Sequence, residues 1–220
     1  MIRNPDQTES RGASPVSRLS EAQVSHAVDV LCEAFYDYPV MRNVIGSVGG
    51  DYDRRLHMLI NFFVMARVWR GEPILGVSNG SDLVATAILT LPGKRQPPAE
   101  LARLREAVWR ELGQSARLRY ETFGEATRKF EISQPHYHLN MIGVRHSHHG
   151  KGLARQLLDA VHAISHRDPV SLGVTLTTED FRNVSLYRHF GYQVVGHARV
   201  DAQLETWNLF RANNSSADNG

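Results

Sequence analysis

Ile142 to Val161 reads IGVRHSHHGKGLARQLLDAV: an apolar strand end, a polar loop, then a helix with Leu153, Leu157, Leu158 and Val161 on one side. A strand that passes through a tight loop into the first turn of a helix makes an anion site. The first backbone N–H groups of the helix have no internal partner and lie at the positive end of its dipole. Gly150 and Gly152 let the backbone come close to a ligand, and Lys151 adds charge, so a pyrophosphate suits the loop. Two common phosphate signatures fail on spacing. Walker A needs Ser or Thr directly after its Lys, where Gly152 stands, and a dinucleotide fingerprint begun at Gly150 needs a small third residue, where Arg155 stands.

Outward from this loop, Tyr137 to Val144 reads as the strand feeding it. Downstream, Val170, Leu172, Val174 and Leu176 alternate as another strand, residues 180–190 form a short helix, and 192–200 and 205–210 supply two closing strands. Upstream, Ile74–Val77 and Leu83–Leu91 flank Ser78-Asn79-Gly80-Ser81, a hairpin signal. Before them lie two helical stripes. Val24, Ala27, Val28, Leu31, Cys32 and Phe35 follow the N-cap candidate Ser20 and stop at Pro39, and Leu56 to Val68 stop near Gly71. Residues 98–131, with Leu101, Leu104, Val108 and Leu112 on one face, read as a helical insert. The alternation of strands and helices, with hairpins at one edge, predicts a single mixed-sheet α/β domain over residues 15–211. The polar ends, 1–14 and 212–220, are expected to be disordered tails.

A chain of 220 residues with 42% hydrophobic and 22% charged residues has the composition of an ordinary globular protein. The net charge of +2 is too small for a dedicated nucleic-acid binder. Cys32, the single cysteine, cannot form an internal disulfide and sits on an apolar stripe, which suits a reducing compartment. No secretory leader and no run of about 20 apolar residues is present, so the expected address is cytoplasmic or nucleocytoplasmic, with no membrane partner. The loop histidines His146, His148 and His149 lack a matching acidic or Cys set and are expected to be solvated, with no metal.

His149-Gly150-Lys151-Gly152-Leu153-Ala154 resembles the coenzyme A loop of GNAT-type N-acetyltransferases, Arg/Gln-x-x-Gly-x-Gly/Ala, with His in place of the first residue. A second block, Leu176 to Tyr192, resembles the family's later segment, Asn-x-x-x-x-Tyr-x-x-x-Gly-Phe in a loose form whose spacing varies slightly; here Tyr187 stands four residues, one helical turn, after Asn183 and on the same face. The resemblance covers about residues 136–200. The lead-in strand and the insert before it look most like puromycin N-acetyltransferase and its relatives. The fold implied is a GNAT-like mixed, mostly antiparallel sheet with splayed middle strands, flanked by helices, with the insert before the coenzyme A strand.

The resemblance implies acetyl-CoA as cosubstrate, with no metal, and direct attack of an amine on its thioester. It assigns Ile142, Gly143, Val144, His149, Gly150, Lys151, Gly152, Leu153, Ala154 and Asn183 to the coenzyme, the backbone near Ile142 to Val144 also serving the oxyanion. Tyr187 is the implied acid for the departing thiolate. The acidic residue that family members often carry late in the next strand is Thr177 here, so the base candidates are Glu179, two residues on, and His138, which alternates with Asn140 and Ile142 on one strand face. Glu33, Tyr36, Asp37 and Tyr38 lie in the link that borders the family's acceptor site, and they are equally open to a packing role. The expected acceptor is a small-molecule primary amine. Acetylation of a protein N-terminus or lysine, and a non-catalytic acyl-CoA-binding regulatory module, are the alternatives. The expected assembly is a monomer or homodimer.

Overall fold

Seven strands form one sheet in the order β1-β2-β3-β4-β5-β7-β6 in the computed structural model, which describes residues 14–47, 49–93 and 97–213. The strands are β1 (Ser17–Arg18), β2 (Ile74–Asn79), β3 (Asp82–Thr90), β4 (Tyr137–Val144), β5 (Gly173–Thr178), β6 (Gln193–Arg199) and β7 (Glu205–Ala212). All neighbours are antiparallel except β4 and β5, which are parallel. The β2–β3 hairpin turns on Gly80, whose φ of 65° is the conformation a tight hairpin requires. The β4–β5 ladder holds three residue pairs, Tyr137–Val174, His138–Thr175 and Leu139–Leu176, and then ends. Beyond it Asn140–Val144 and the last residues of β5 diverge, which is the expected splay of the middle strands.

Seven α-helices cover the two faces among the described residues. On one face lie α1 (Val24–Ala34), α2 (Pro39–Ile45), α3 (Tyr52–Trp69), α4 (Ala99–Leu112) and α5 (Gln114–Arg128), sharing a core with Ile74, Ile88 and Met141. On the other, α6 (Leu153–Arg167) buries Leu157, Leu158 and Val161 against Val77, Leu89 and Val174, beside α7 (Phe181–His189). Each of these fully buried aliphatic side chains contributes about 2 kcal/mol of hydrophobic stabilisation.

Several expectations need correcting. The first helical run ends at Ala34, with Phe35 as its C-cap, before Pro39 is reached, and Pro39 instead starts α2 as an N1 proline, where a missing N–H costs nothing. The insert is two helices, broken at Gly113 with φ 86°, and Arg119 of α5 holds it to α2 by donating to the Val44 and Ile45 carbonyls. Val170 and Leu172 are exposed and precede β5 rather than forming it. Ala212, assigned to the tail, pairs with Gly173, and the Asn213 side chain binds Ser165 and Ser171, while 1–13 and 214–220 lie outside the described residues.

Strand β4 also departs from simple alternation. Ile88 and Leu89 of β3 pair with Met141 and Leu139, so Asn140 is an extra residue, a β-bulge. The bulge turns Asn140 and Met141 to the α1–α3 side together, and Ile142 consequently packs with the α6-side core instead of sharing a face with His138.

Candidate active site

The splay opens a cleft of about 1080 Å³ and, beneath the α2, α3 and α5 helices, a chamber of about 240 Å³. Both are walled by Phe35, Tyr38, Ile142, Glu179 and Asn183, so the two spaces meet at these residues. The cleft takes in Ile142, Gly143, Val144, His149, Gly150, Gly152, Leu153 and Ala154. Lys151, the remaining loop candidate, is exposed and does not line it.

Gly150 and Gly152 have φ of 75° and 76°, and Gly152 is the N-cap of α6. A Cβ at either would meet no protein atom within 4 Å, and the left-handed backbone, which costs an L side chain about 1–2 kcal/mol, by itself favours glycine here. Helix α6 has no side-chain cap at its N-terminus, leaving its first amides to the cleft. His149, where the family pattern has Arg or Gln, turns its ring back so that Nε2 lies 3.0 Å from the Val144 carbonyl. Gly143 serves packing: a Cβ there would fall 2.9 Å from the Ala34 Cβ, so α1 can lie close on β4 only without one.

Glu33 receives the His146 N–H at 2.6 Å and the Arg145 guanidinium at 2.7 Å. Burial works against the charge, but these two donors hold its carboxyl below the usual carboxylate range. Glu33 is thus an anchor between α1 and the loop. Asp37 is paired with Arg42 and exposed, and Tyr36 is exposed at the cleft rim. Of the four residues expected at the acceptor site, Tyr38 alone reaches the chamber. Its hydroxyl meets Thr178 Oγ1 and accepts the Glu179 N–H, and burial followed by the neighbouring Glu179 pushes its pKa far up.

Glu179, just past β5, is buried and accepts from Thr206 Oγ1 at 2.8 Å. Burial pushes its carboxyl up to about 7, against the hydrogen bonds from Thr206 and Thr177, which puts it in the range of a general base at neutral pH. His138 lies within the zipped part of β4–β5, with Nδ1 2.9 Å from Thr175 Oγ1, and burial then Arg67 push it down to about 4. A ring of that pKa is neutral but weakly basic, so Glu179 is the better-suited proton acceptor of the two. Tyr187 borders the chamber on α7. Its hydroxyl has no hydrogen-bond partner among the described residues, and burial followed by the Glu179 charge raises its pKa well above the ordinary phenol value, keeping the proton in place for donation. Asp180 caps α7 by accepting the Arg182 N–H, and Asn183 lines both spaces where they meet.

Sequence reading missed the inner end of the chamber. Arg67 of α3 donates through Nε to Asn140 Oδ1 at 3.0 Å and lies 3.4 Å from Glu72, and Thr90 Oγ1 donates to the same Asn140 oxygen. Arg67 follows Phe63 by four residues and so falls within the apolar stripe of α3, where a lone charge on a buried face is the signal that could have found it. No group of three or more His, Cys, Asp or Glu residues suited to a metal ion occurs among the described residues, and none of the described helices is long and apolar enough to cross a membrane.

Residues 116–208 match the sequence profile of the acetyltransferase (GNAT) domain, so that the bulged strand, the glycine loop and Glu179 all fall within the matched stretch. The fold and this match define an acyltransferase enzyme. More particularly, residues 116–208 are similar to a GNAT acetyltransferase domain. Comparison with curated proteins found no match. Among solved structures, a Corynebacterium glutamicum protein described as a histone acetyltransferase and related acetyltransferase is similar at 19% identity and a TM-score of 0.65, covering 90% of this chain and 96% of its own. Arylalkylamine N-acetyltransferase 2 from Aedes aegypti is similar at 15% identity and 0.57, covering 92% and 99%. A ribosomal-protein-alanine N-acetyltransferase from Escherichia coli is similar at 12% identity and 0.53, covering 94% and 98%. At such identities the likeness establishes the fold.

Proposed function

We propose that the protein transfers the acetyl group of acetyl-coenzyme A to the primary amine of a small molecule, by direct attack in a ternary complex. The observation that carries this reading is the meeting of the cleft and the chamber at Glu179, with Tyr187 on the chamber side. A thioester entering along the cleft and an amine entering through the chamber come together there. The cleft residues Gly150 and Gly152, with the first amides of α6, would hold the pyrophosphate, and the splay of β4 from β5 would take the pantetheine arm.

The chemistry follows from the residues. An alkylammonium with a pKa near 10 must lose a proton before its nitrogen can attack, and Glu179, at about 7, takes it. Backbone N–H groups at the splayed end of β4 face the developing oxyanion. As the tetrahedral intermediate collapses, the C–S bond breaks, the thiolate takes the Tyr187 proton, the second proton of the adduct nitrogen restores Tyr187, and Glu179 releases its proton to solvent, yielding the amide and free coenzyme A. The small volume of the chamber, about 240 Å³, favours a small molecule over a protein chain, and the arylalkylamine enzyme among the structural neighbours is consistent with that.

Thiol release from acetyl-coenzyme A in the presence of an amine panel tests the reading. Turnover on at least one small amine, with the N-acetyl product found by mass spectrometry, is expected. Tight coenzyme binding with no turnover on any amine or peptide would overturn it in favour of a binding module, and turnover restricted to peptides would overturn the acceptor class.

A further inference from the structure

The chamber's walls divide by chemistry. Most of its surface is apolar, supplied by Phe35, Met41, Val44, Phe63, Tyr120 and Phe123, which suits an aromatic or bulky aliphatic body. Its inner end is polar. Both contacts of Arg67 are made by Nε, to Asn140 and Glu72, and its two terminal nitrogens form no hydrogen bond to any described residue although they belong to a side chain that lines the chamber. The arginine cannot shed its charge, so burial leaves it with unused donors in an apolar space. Asn140 is held in place by the bulge and by Thr90, and it spends its carbonyl oxygen on those two donors, leaving its amide N–H groups on the same wall.

We infer that the chamber recognises a primary amine with an apolar, preferably aromatic, body that carries a carbonyl-type oxygen at the end remote from the nitrogen, and that Arg67 reads this oxygen with Asn140 beside it. The inference rests on the amine-acetylating reading of the site and narrows its substrate class. Asn140 lies two residues from Ile142, which walls the cleft, and two residues of extended chain span no more than about 7 Å. One ring separates nitrogen and oxygen suitably. A carboxylate and a carboxamide share the acceptor chemistry, and Arg67 with Glu72 alongside accommodates both. Arg67 is a specificity residue here and takes no part in the proton transfers at Glu179 and Tyr187.

The test compares para-(aminomethyl)benzamide and para-(aminomethyl)benzoate with para-methylbenzylamine, which has the same body and no oxygen. Wild-type protein saturated with coenzyme A should bind at least one oxygen-bearing amine about 10- to 100-fold more tightly than the methyl compound by calorimetry, as expected for a hydrogen bond to a charged donor. In turnover the preference should lie in KM. Arg67→Met should abolish it while leaving binding of the methyl compound within about threefold. Because that change removes a positive charge beside the buried Glu72, the double variant Arg67→Met/Glu72→Gln is measured in parallel, with folding checked by circular dichroism. Equal binding of all three amines to the wild type, or a preference that survives both variants, overturns the inference whatever the turnover. Selective binding without thioester consumption would instead overturn the acetyl-transfer reading and leave the recognition site standing.

Discussion

The Tyr38 hydroxyl lies 2.8 Å from Thr178 Oγ1 and accepts the Glu179 N–H at 3.2 Å, so a side chain from the link between α1 and α2 sets the exit of β5, where the base candidate stands. Tyr38→Phe removes both contacts and leaves a buried amide without its acceptor. A loss of about 1–3 kcal/mol in stability is expected, with kcat reduced about tenfold as Glu179 loses its placement. Chemical denaturation and steady-state kinetics on the same preparation check the two effects.

Glu179 gives the clearest pH signature. With the base protonated below about 7, kcat/KM should rise with pH through that value and lose this limb in Glu179→Gln, whose turnover should fall at least about 100-fold. Stability moves the other way. A carboxyl whose pKa goes from about 4.5 unfolded to about 7 folded binds more protons in the native state between those values, so its contribution declines as pH rises across that window. The decline is on the order of 3 kcal/mol if the whole shift is realised. Glu179→Gln should therefore be more stable than wild type at pH 8 and lose that advantage near pH 4.5. Melting curves at both pH values decide it; equal differences at the two would contradict the burial argument.

Gly152→Asp tests the anion site. The backbone there is left-handed and the space in front of it is open, so the domain should fold, at a cost of about 1–2 kcal/mol, while the new carboxylate repels the coenzyme phosphates. Calorimetry with coenzyme A should show no binding, and unaltered affinity would refute the phosphate assignment. Gly143→Val, by contrast, should destabilise strongly without touching the phosphate loop, since its side chain collides with Ala34 and Leu31.

Tyr187→Phe should lower kcat about 10- to 1000-fold and leave coenzyme affinity nearly unchanged, because the hydroxyl acts on the departing thiolate and holds no other described residue. Replacing acetyl-coenzyme A with an acyl donor whose thiol is more acidic should narrow the gap between variant and wild type. A gap that does not narrow would point to a packing role against Tyr192, 5.7 Å away ring to ring.

Local signals made the fold legible where they were strong. The α6 stripe and the glycines before it gave the loop its place, and Asn79-Gly80 gave the hairpin; the left-handed backbone at Gly150 and Gly152 was not legible in the sequence. The bulge at Asn140 was hidden because a one-residue slip needs no Gly or Pro to mark it, and it alone moves Ile142 off the His138 face. Glu33 and Asp37 looked available in the sequence because their partners Arg145 and Arg42 are chosen by tertiary packing and a short helix, respectively. The chamber was illegible for the same reason: its walls come from α2, α3, α5, β4 and β5, elements that only the folded chain brings together.

The three pairs joining β4 to β5 make this line the spine between two half-sheets, β1 to β4 on one side and β5, β7 and β6 on the other. A seam with so short a ladder is where amide hydrogen exchange should first betray sub-global opening, at Leu139 and Leu176 ahead of the long β2–β3 and β5–β7 ladders. A ligand lodged in the splay touches both halves and raises the free energy of parting them, so the gap that admits the cosubstrate is also the place where binding stiffens the whole molecule.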